Sequence, residues 1–429
     1  MREMKDSGIE WIGKIPAHWA LSKVGMFYNI VLGKMLQSEQ SSDSDTYEKY
    51  LCAMNLGNNA LKYDVLKKMW FSEKERQQYK VQKGDLIVVE GGDVASCDIV
   101  KEDVSDLYIQ NALHRVRAKK DFTLEFLKYS LMMAKAQGYI SLICNKATIA
   151  HFTKDKFSSL PFLAVPVDEQ LKIVQVLDKK CAQVDALITN IQTQIEKLKA
   201  YKQSMITEVV TKGLDPTVPM KDSGVEWIGE IPAYWKIQRG KALFKETEAR
   251  SADGSEELLT VSQYTGITPR SQKNVTMFEA LSLEGYNICE IGDIAANTMW
   301  LWAGAIGVSE YRGVVSPSYN VYRQRSNNFA PRYLDHLLRA PMLVQEYASR
   351  STGIRASRLR LYPKDFFNIM FPVPPLEEQQ AILDALNSKL SAVDRLIAIK
   401  QAKIEKLEQY KRSLIYEYVT GKREVSCDE

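Results

Sequence analysis

This 429-residue chain lacks paired cysteines: its six, at positions 52, 97, 144, 181, 289 and 427, are scattered with no C-x-x-C spacing, and only four histidines could join them. That excludes a disulfide framework and a structural zinc site, so no metal is expected. No apolar run is long enough to cross a membrane. The opening MREMKDSG has no apolar core of the secretory kind, so the expectation is a cytoplasmic protein without a membrane partner. Cofactor motifs are missing as well: there is no G-x-x-x-x-G-K-[ST] loop for ATP, no glycine-rich dinucleotide turn after a strand and no N/D-P-P-Y/F tetrapeptide. The prolines Pro374 and Pro375 lack the preceding Asn or Asp, and the carboxylates around His114, such as Asp106, have no companion constellation. We therefore expect no catalytic residues and no cofactor. Charge of one sign is also scarce, because 57 Lys and Arg against 53 Asp and Glu leave only +4. Nucleic-acid binding is then a question of local clustering rather than of the total.

What is present is a repeat. KDSGIEWIGKIPAHW, from Lys5 to Trp19, returns as KDSGVEWIGEIPAYW from Lys221 to Trp235, with three changes across a separation of 216. PVDEQLKIVQVLDKKCAQVDALI at Pro166 is matched at Pro375, and IEKLKAYKQSMITEVVT at Ile195 at Ile404, both 209 residues on. Each copy is a short opening motif, a divergent middle and a long matched tail. Length and repeat together point to two tandem copies of one unit.

The tails read as helices. In the first, apolar residues fall at Val174, Leu177, Cys181, Val184, Ile188, Ile191, Ile195, Leu198, Met205 and Val209, broken at Lys202. The second repeats this at Leu383, Leu386, Leu390, Val393, Ile397, Ile404, Leu407, Leu414 and Tyr418, broken at Lys400 and Lys411. Alternating steps of three and four over about 40 residues make a coiled-coil seam rather than the stripe of an ordinary globular helix. The equivalent lysines 202 and 411 read as register or end features whose stems lie along the seam while the ammonium groups reach water. Each tail starts after a proline and stops at a glycine, Gly213 or Gly421. The first ends eight residues before Asp222, a linker of no more than about 30 Å, so the pair should run antiparallel. At 1.5 Å per residue such helices reach roughly 65 Å and act as a ruler.

Each middle carries a strand after a Gly-Asp turn, KGDLIVVEGG from Lys83 and IGDIAANTMW from Ile291. Helices follow, TLEFLKYSLMMAKAQG from Thr123 and PRYLDHLLRAPMLVQEYAS from Pro331. The fold class is therefore α/β (mixed). Basic residues gather late in each middle: Lys146, His151, Lys154 and Lys156 in the first, and Arg350, Arg355, Arg358, Arg360 and Lys364 in the second. Such stretches neutralise phosphates, and arginine forks read guanine edges, although solvated basic loops have the same composition. Polar loops at Gln37, Ser38, Gln40 and Ser41, and at Arg270, Ser271, Gln272 and Lys273, are further candidates for groove contacts.

The marks SG-[IV]-EWIG-x-IPA-x-W, P-[VL]-[DE]-EQ, the paired I-E-K-L seams and SPSYNVYR from Ser316 resemble the specificity subunit of type I restriction-modification systems over essentially the whole chain. The resemblance implies two mixed α/β target-recognition domains separated by two long antiparallel coiled-coil helices, an internal pseudo-twofold repeat. The implied boundaries are 1–165 for the first domain with its opening motif, 166–213 for the first spacer helix, 214–374 for the second domain, 375–421 for the second helix and 422–429 for a tail. It also implies that each domain reads one half of a bipartite double-stranded DNA site, without catalysis by this chain. Two methyltransferase subunits supply S-adenosylmethionine chemistry, and motor-nuclease subunits are the further partners. Trp11, Trp19, Trp227 and Trp235 then belong to the repeated scaffold, either docking partners or packing against the helix ends. SPSYNVYR has QNALHRVR from Gln110 as its counterpart, which leaves the strand alignment open there. The rival readings are a methyltransferase-only system and a coiled-coil protein-interaction scaffold without DNA affinity.

Overall fold

The structure, a computed structural model, describes residues 2–57, 59–119, 121–144, 150–273, 282–353 and 359–425. The chain packs as two compact units, Met1–Ile191 with Ala402–Glu429, and Gln192–Gln401. Both boundaries fall inside the long helices, Val167–Lys212 and Leu376–Val419, so each unit takes part of each helix.

In the first unit a four-stranded antiparallel sheet runs in the order Cys97–Ile99, Leu86–Val89, Leu113–Ala118, Tyr28–Leu32. The run LIVV is buried at every position, as an unbroken apolar strand covered on both faces must be. Gly84 supplies the positive φ (87°) of the turn before it. The helix Leu124–Ala136 is capped by Thr123, whose hydroxyl accepts from the Phe126 amide. A second sheet, ordered Leu107–Ile109, Thr46–Leu51, Lys67–Phe71, has a parallel first pair and an antiparallel second.

The second unit repeats the four-stranded order with Ile306–Val308, Ile294–Asn297, Tyr319–Gln324 and Phe244–Glu246. One ion pair fixes the equivalence. Asp85, in the Gly-Asp turn, accepts the Gln82 amide and the fork of Arg117, with Nη2 at 2.8 Å. Asp293 accepts the Glu290 amide and the fork of Arg323, both nitrogens at 2.7 Å. Just after each aspartate, Leu86 faces Val116 and Ile294 faces Tyr322. QNALHRVR and SPSYNVYR therefore occupy the same strand in the same register, and the open alignment is resolved by a bidentate carboxylate clamp. One element differs from expectation. The helix expected from Pro331 is two helices, Pro331–Leu338 and Pro341–Arg350, because Pro341 forces Ala340 into extended geometry (ψ 134°).

The seam forms as the spacing predicts. Val174, Leu177 and Cys181 share a core with Leu414, Ile415 and Tyr418 in the first unit. Met205, Ile206 and Val210 share one with Leu383, Leu386 and Val393 in the second. Val184, Ile195 and Ile404 are buried, and Ile188, Leu198, Ile397 and Leu407 half-buried. Within the second unit, Lys400 reaches Gln194 while Lys202 reaches Asp394 at 2.7 Å, so the helices run antiparallel there. The equivalent contact in the first unit is Lys411 with Asp185, also 2.7 Å. Lys202 and Lys411 thus end on carboxylates of the paired helix, not simply in water, and Asp394 and Asp185 share their 209-residue offset.

The P-[VL]-[DE]-EQ motif is a double hook. Gln170 donates to the Val165 carbonyl and accepts from the amide and hydroxyl of Thr123. Gln379 donates to the carbonyls of Pro374 and Asn328 and accepts from the Ala330 amide. Each glutamine, with no exposed surface, ties the start of a long helix to the start of a helix in its middle. Glu169 accepts the indole N–H of Trp19 at 3.1 Å, and Glu378 that of Trp235 at 2.8 Å. Burial raises the Glu169 carboxyl, but the bonds from His18, Trp19 and Arg2 outweigh it and hold the group below its ordinary range.

Two outcomes follow from these contacts. Glu378→Ala leaves a buried indole N–H without its charged acceptor and should lower stability by about 1.5–3 kcal/mol in denaturant melts. Reversing Lys202 and Asp394 singly should each cost up to about 1 kcal/mol at low salt, and the double reversal should recover most of it in a double-mutant cycle.

Candidate nucleic-acid interface

In the first unit the strand Leu86–Val89 runs on to Glu90 and Gly91, and Gly91 pairs with His151 in an isolated bridge. The Phe152 amide donates to the Glu90 carbonyl at 2.7 Å, which fixes the segment to the sheet. His151 lies 3.1 Å from both Glu90 carboxylate oxygens, and Lys156 donates to the His151 carbonyl. Lys154 is exposed at the first position of a short helix, Lys154–Ser159, capped by Thr153. The structure therefore gathers His151, Lys154 and Lys156 at one strand end, but adds Glu90, whose charge offsets part of theirs. Lys146 lies outside the described residues.

In the second unit Arg350 closes the helix Pro341–Arg350 and is held by Glu346 at 2.6 Å. Thr352 and Arg360 pair backbone to backbone. Arg360 is exposed at its base, and Lys364 is exposed on Pro363–Phe367, a short helix anchored by buried Phe366. Arg355 and Arg358 lie outside the described residues. Arg270 and Lys273 sit elsewhere, on the turn after the hairpin Leu259–Ser262 and Gly266–Pro269. Lys273 is half-buried, and burial lowers its ammonium pKa from the ordinary lysine value.

The opening-motif tryptophans are spent on packing. Trp19 and Trp235 are fully buried; Trp227 is also buried, and half-buried Trp11 stacks on Tyr139 at 4.9 Å. Gly421 and Gly213 both have positive φ; a side chain at Gly421 would collide with Pro16 and Trp19, whereas Gly213 lies in contact distance of Pro232 and Trp235. The rings of Trp19 and Trp235 clasp helix ends, which is the packing alternative of the two that the opening motif left open. His114 is likewise a core residue, its Nε2 2.7 Å from the Phe152 carbonyl, with desolvation lowering its pKa.

Sequence reasoning missed an aromatic pair. Trp300, 52% exposed, stacks on Trp302 at 5.6 Å in the turn after Ile294–Asn297. That turn is pinned by Trp302 Nε1 donating to the Met299 carbonyl and by Thr298 donating to Ser318. The signal was the string MWLWAG, the end of a run read only as a strand. Also missed were Leu187 and Leu396, and Tyr201 and Tyr410, exposed on the long helices at equivalent positions 209 apart.

The profile of the type I restriction modification DNA specificity domain matches this chain twice, over residues 16–197 and 235–409. The chain belongs to that family. Among its relatives, the type I restriction enzyme MjaVIII specificity subunit of Methanocaldococcus jannaschii is 23% identical over 425 residues, covering 95% of this chain and 94% of the relative. The putative MjaX specificity subunit of the same organism is 25% identical over 313 residues, 69% of this chain and 67% of that one. A solved structure concerned with complex assembly and conformational transition of the type I R-M system contains a chain of the same fold. It superposes with a TM-score of 0.67 at 15% identity, covering 95% of this chain and 99% of that one.

Arg360 offers the cleanest test of the second cluster, because its backbone is paired with Thr352 while its side chain is exposed. Arg360→Ala should weaken DNA binding by about 1–3 kcal/mol. Loss confined to one base position in a binding-site selection marks a base reader, and uniform loss with a shallower salt slope marks a phosphate contact.

Proposed function

We propose that this chain is the non-catalytic specificity subunit of a type I restriction-modification complex. Each middle reads one half of a bipartite double-stranded DNA site, and the paired helices set the gap between the halves. The observation that carries this reading is one scaffold built twice around two unlike surfaces. The double hook, the Asp-Arg clamp and the helix seam recur at equivalent positions, whereas the sequences around His151 and Arg360 share no pattern. A protein reading one target needs no second, divergent copy.

Equivalent surfaces suit equivalent partners, and two methyltransferase subunits are the partners we assign. The repeated exposed pairs Leu187 with Leu396 and Tyr201 with Tyr410 offer apolar anchors for them. Motor-nuclease subunits join in the restricting form of such a complex, and a methyltransferase-only system uses the same chain without them. The presence of a neighbouring motor-nuclease gene separates the two.

Long-read mapping of methylated bases in cells with and without this gene tests the assignment. A split motif with an unspecified gap should vanish on deletion; an unchanged methylome in a strain expressing the partner subunits contradicts it. Inserting seven residues after Thr193 and after Ala402, equivalent sites in the two helices, adds about 10 Å of helix. The gap should widen while both half-sites keep their sequences, and altered half-sites would refute this division of labour.

A further inference from the structure

The three-stranded sheet of the first unit buries one face; on the other, Leu51, Leu107 and Ile109 enter a second core while the part around Tyr47, Lys49 and Lys68 stays exposed. Met69 and Phe71 point inward with Tyr50 and Tyr108. Strand alternation turns their neighbours outward, and the register places Tyr47 opposite Trp70 and Lys49 opposite Lys68. Tyr47 is half exposed, with its ring 5.1 Å from that of Trp70. Lys68 hangs over the Tyr47 ring at 6.0 Å. Lys49 and Lys68 are both exposed, and among the described residues neither has an ion-pair partner.

Like charges directly opposite on one sheet face destabilise it. Lysine on an edge strand is a common guard against aggregation, and Lys67–Phe71 is such an edge. That account does not reach Lys49, which lies on the middle strand, between Leu107–Ile109 and Lys67–Phe71. That part of the face therefore keeps two unneutralised cations beside one exposed ring, Tyr47, and one half-buried ring, Trp70. The patch continues through the Trp70 amide, which donates to the Gln37 carbonyl, into a segment where Met35 and Leu36 are strongly exposed. In the second middle the hairpin Leu259–Pro269 pairs Thr260 with Thr268 instead.

We propose that this sheet face is a DNA-contact surface of the first middle, with Lys49 and Lys68 on phosphates and the Tyr47–Trp70 pair packed against the adjoining sugars. The proposal rests on the reading of the first middle as a DNA-recognition domain. Phosphate is the occupant because it supplies the missing counter-charge in a row, and aromatic rings beside lysines suit a polyanion with apolar sugar edges. Most acidic protein partners would leave the rings half in water.

The test uses the full chain, a labelled 30-base-pair duplex of mixed sequence and anisotropy titrations over a range of salt. Lys49→Glu with Lys68→Glu should reduce the log–log salt slope by about 1.8 and weaken binding about tenfold near 0.1 M salt. Tyr47→Ala should weaken binding with the slope unchanged. Lys49→Glu alone converts the repulsive pair into an attractive one, so its melting temperature should stay level or rise while affinity falls. Lys83→Glu, whose lysine is paired with Asp103, controls for net charge.

An unchanged slope in the double variant, with the parent binding normally, overturns the sheet face and leaves the DNA-reading function standing. A parent chain without salt-dependent binding overturns both. Equal loss from Lys83→Glu, or a melting temperature that falls in step with affinity, also overturns the proposal by assigning the effect to net charge or to folding. Normal DNA binding with lost methyltransferase co-purification overturns it in favour of protein docking.

Discussion

The antiparallel seam is the interaction on which this structure depends, because neither repeat closes its own core. The first middle and its opening motif pack on the start of their own helix and on the end of the other copy's, where Leu414, Ile415 and Tyr418 are buried with Trp19 and Leu177. The second is completed in the same manner by Met205, Ile206 and Val210. A fully buried aliphatic or aromatic side chain contributes about 1.5–3 kcal/mol relative to exposure. Removing the borrowed helix end from either unit therefore opens its core at several places at once. That constraint explains why helices and opening motifs match closely across the chain while the middles do not: the matched parts face each other, and a change in one must suit both.

The seam alone fixes which helices meet, not how each middle is held. That task falls to short polar hooks at the helix starts. Gln170 and Gln379 each complete the bonding of two chain segments with one buried amide, and such a group tolerates no partial match, since an unpaired buried amide is costly. Glu169 and Glu378 do the same for the indoles. The positively twisted glycines let each helix stop beneath a tryptophan. A surface loop can then change freely, because nothing in it supports these joints.

Much of this was legible in the sequence. The seam, its proline start and glycine stop, the Gly-Asp strand turns and the two-copy plan all depend on local spacing or on self-comparison, and they appear where the spacing places them. The ends of the seam lysines were not legible, because Asp185 and Asp394 lie far along the chain from Lys411 and Lys202. Pro341 was visible, yet the helix was read through it; the extended geometry demanded of Ala340 won. The tryptophans looked equally suited to docking and to packing, and the packing of Trp19 and Trp235 shows only in their burial. The basic clusters looked purer than they are, because Glu90 and Glu346 approach His151 and Arg350 through the fold. Exposed Trp300 and Tyr47, and half-buried Trp70, were hidden for the opposite reason: sequence reading assigns aromatics to cores.

The Asp-Arg clamp shows how one fold serves two readers. Asp85 with Arg117, and Asp293 with Arg323, lock the two central strands of each middle at the same register and bury the carboxylate almost completely. A one-residue slip would turn every side chain to the other face, so the clamp protects the geometry from which the loops project. Those loops then differ in chemistry at comparable places: glycines and a His-Glu pair follow the strand in the first middle, and a pinned tryptophan stack follows it in the second. Precise contacts need a mount that does not move. Because the mount is held by buried ions and the helix seam, changes in contact chemistry do not alter the core, and the two copies could diverge in what they touch while remaining one architecture.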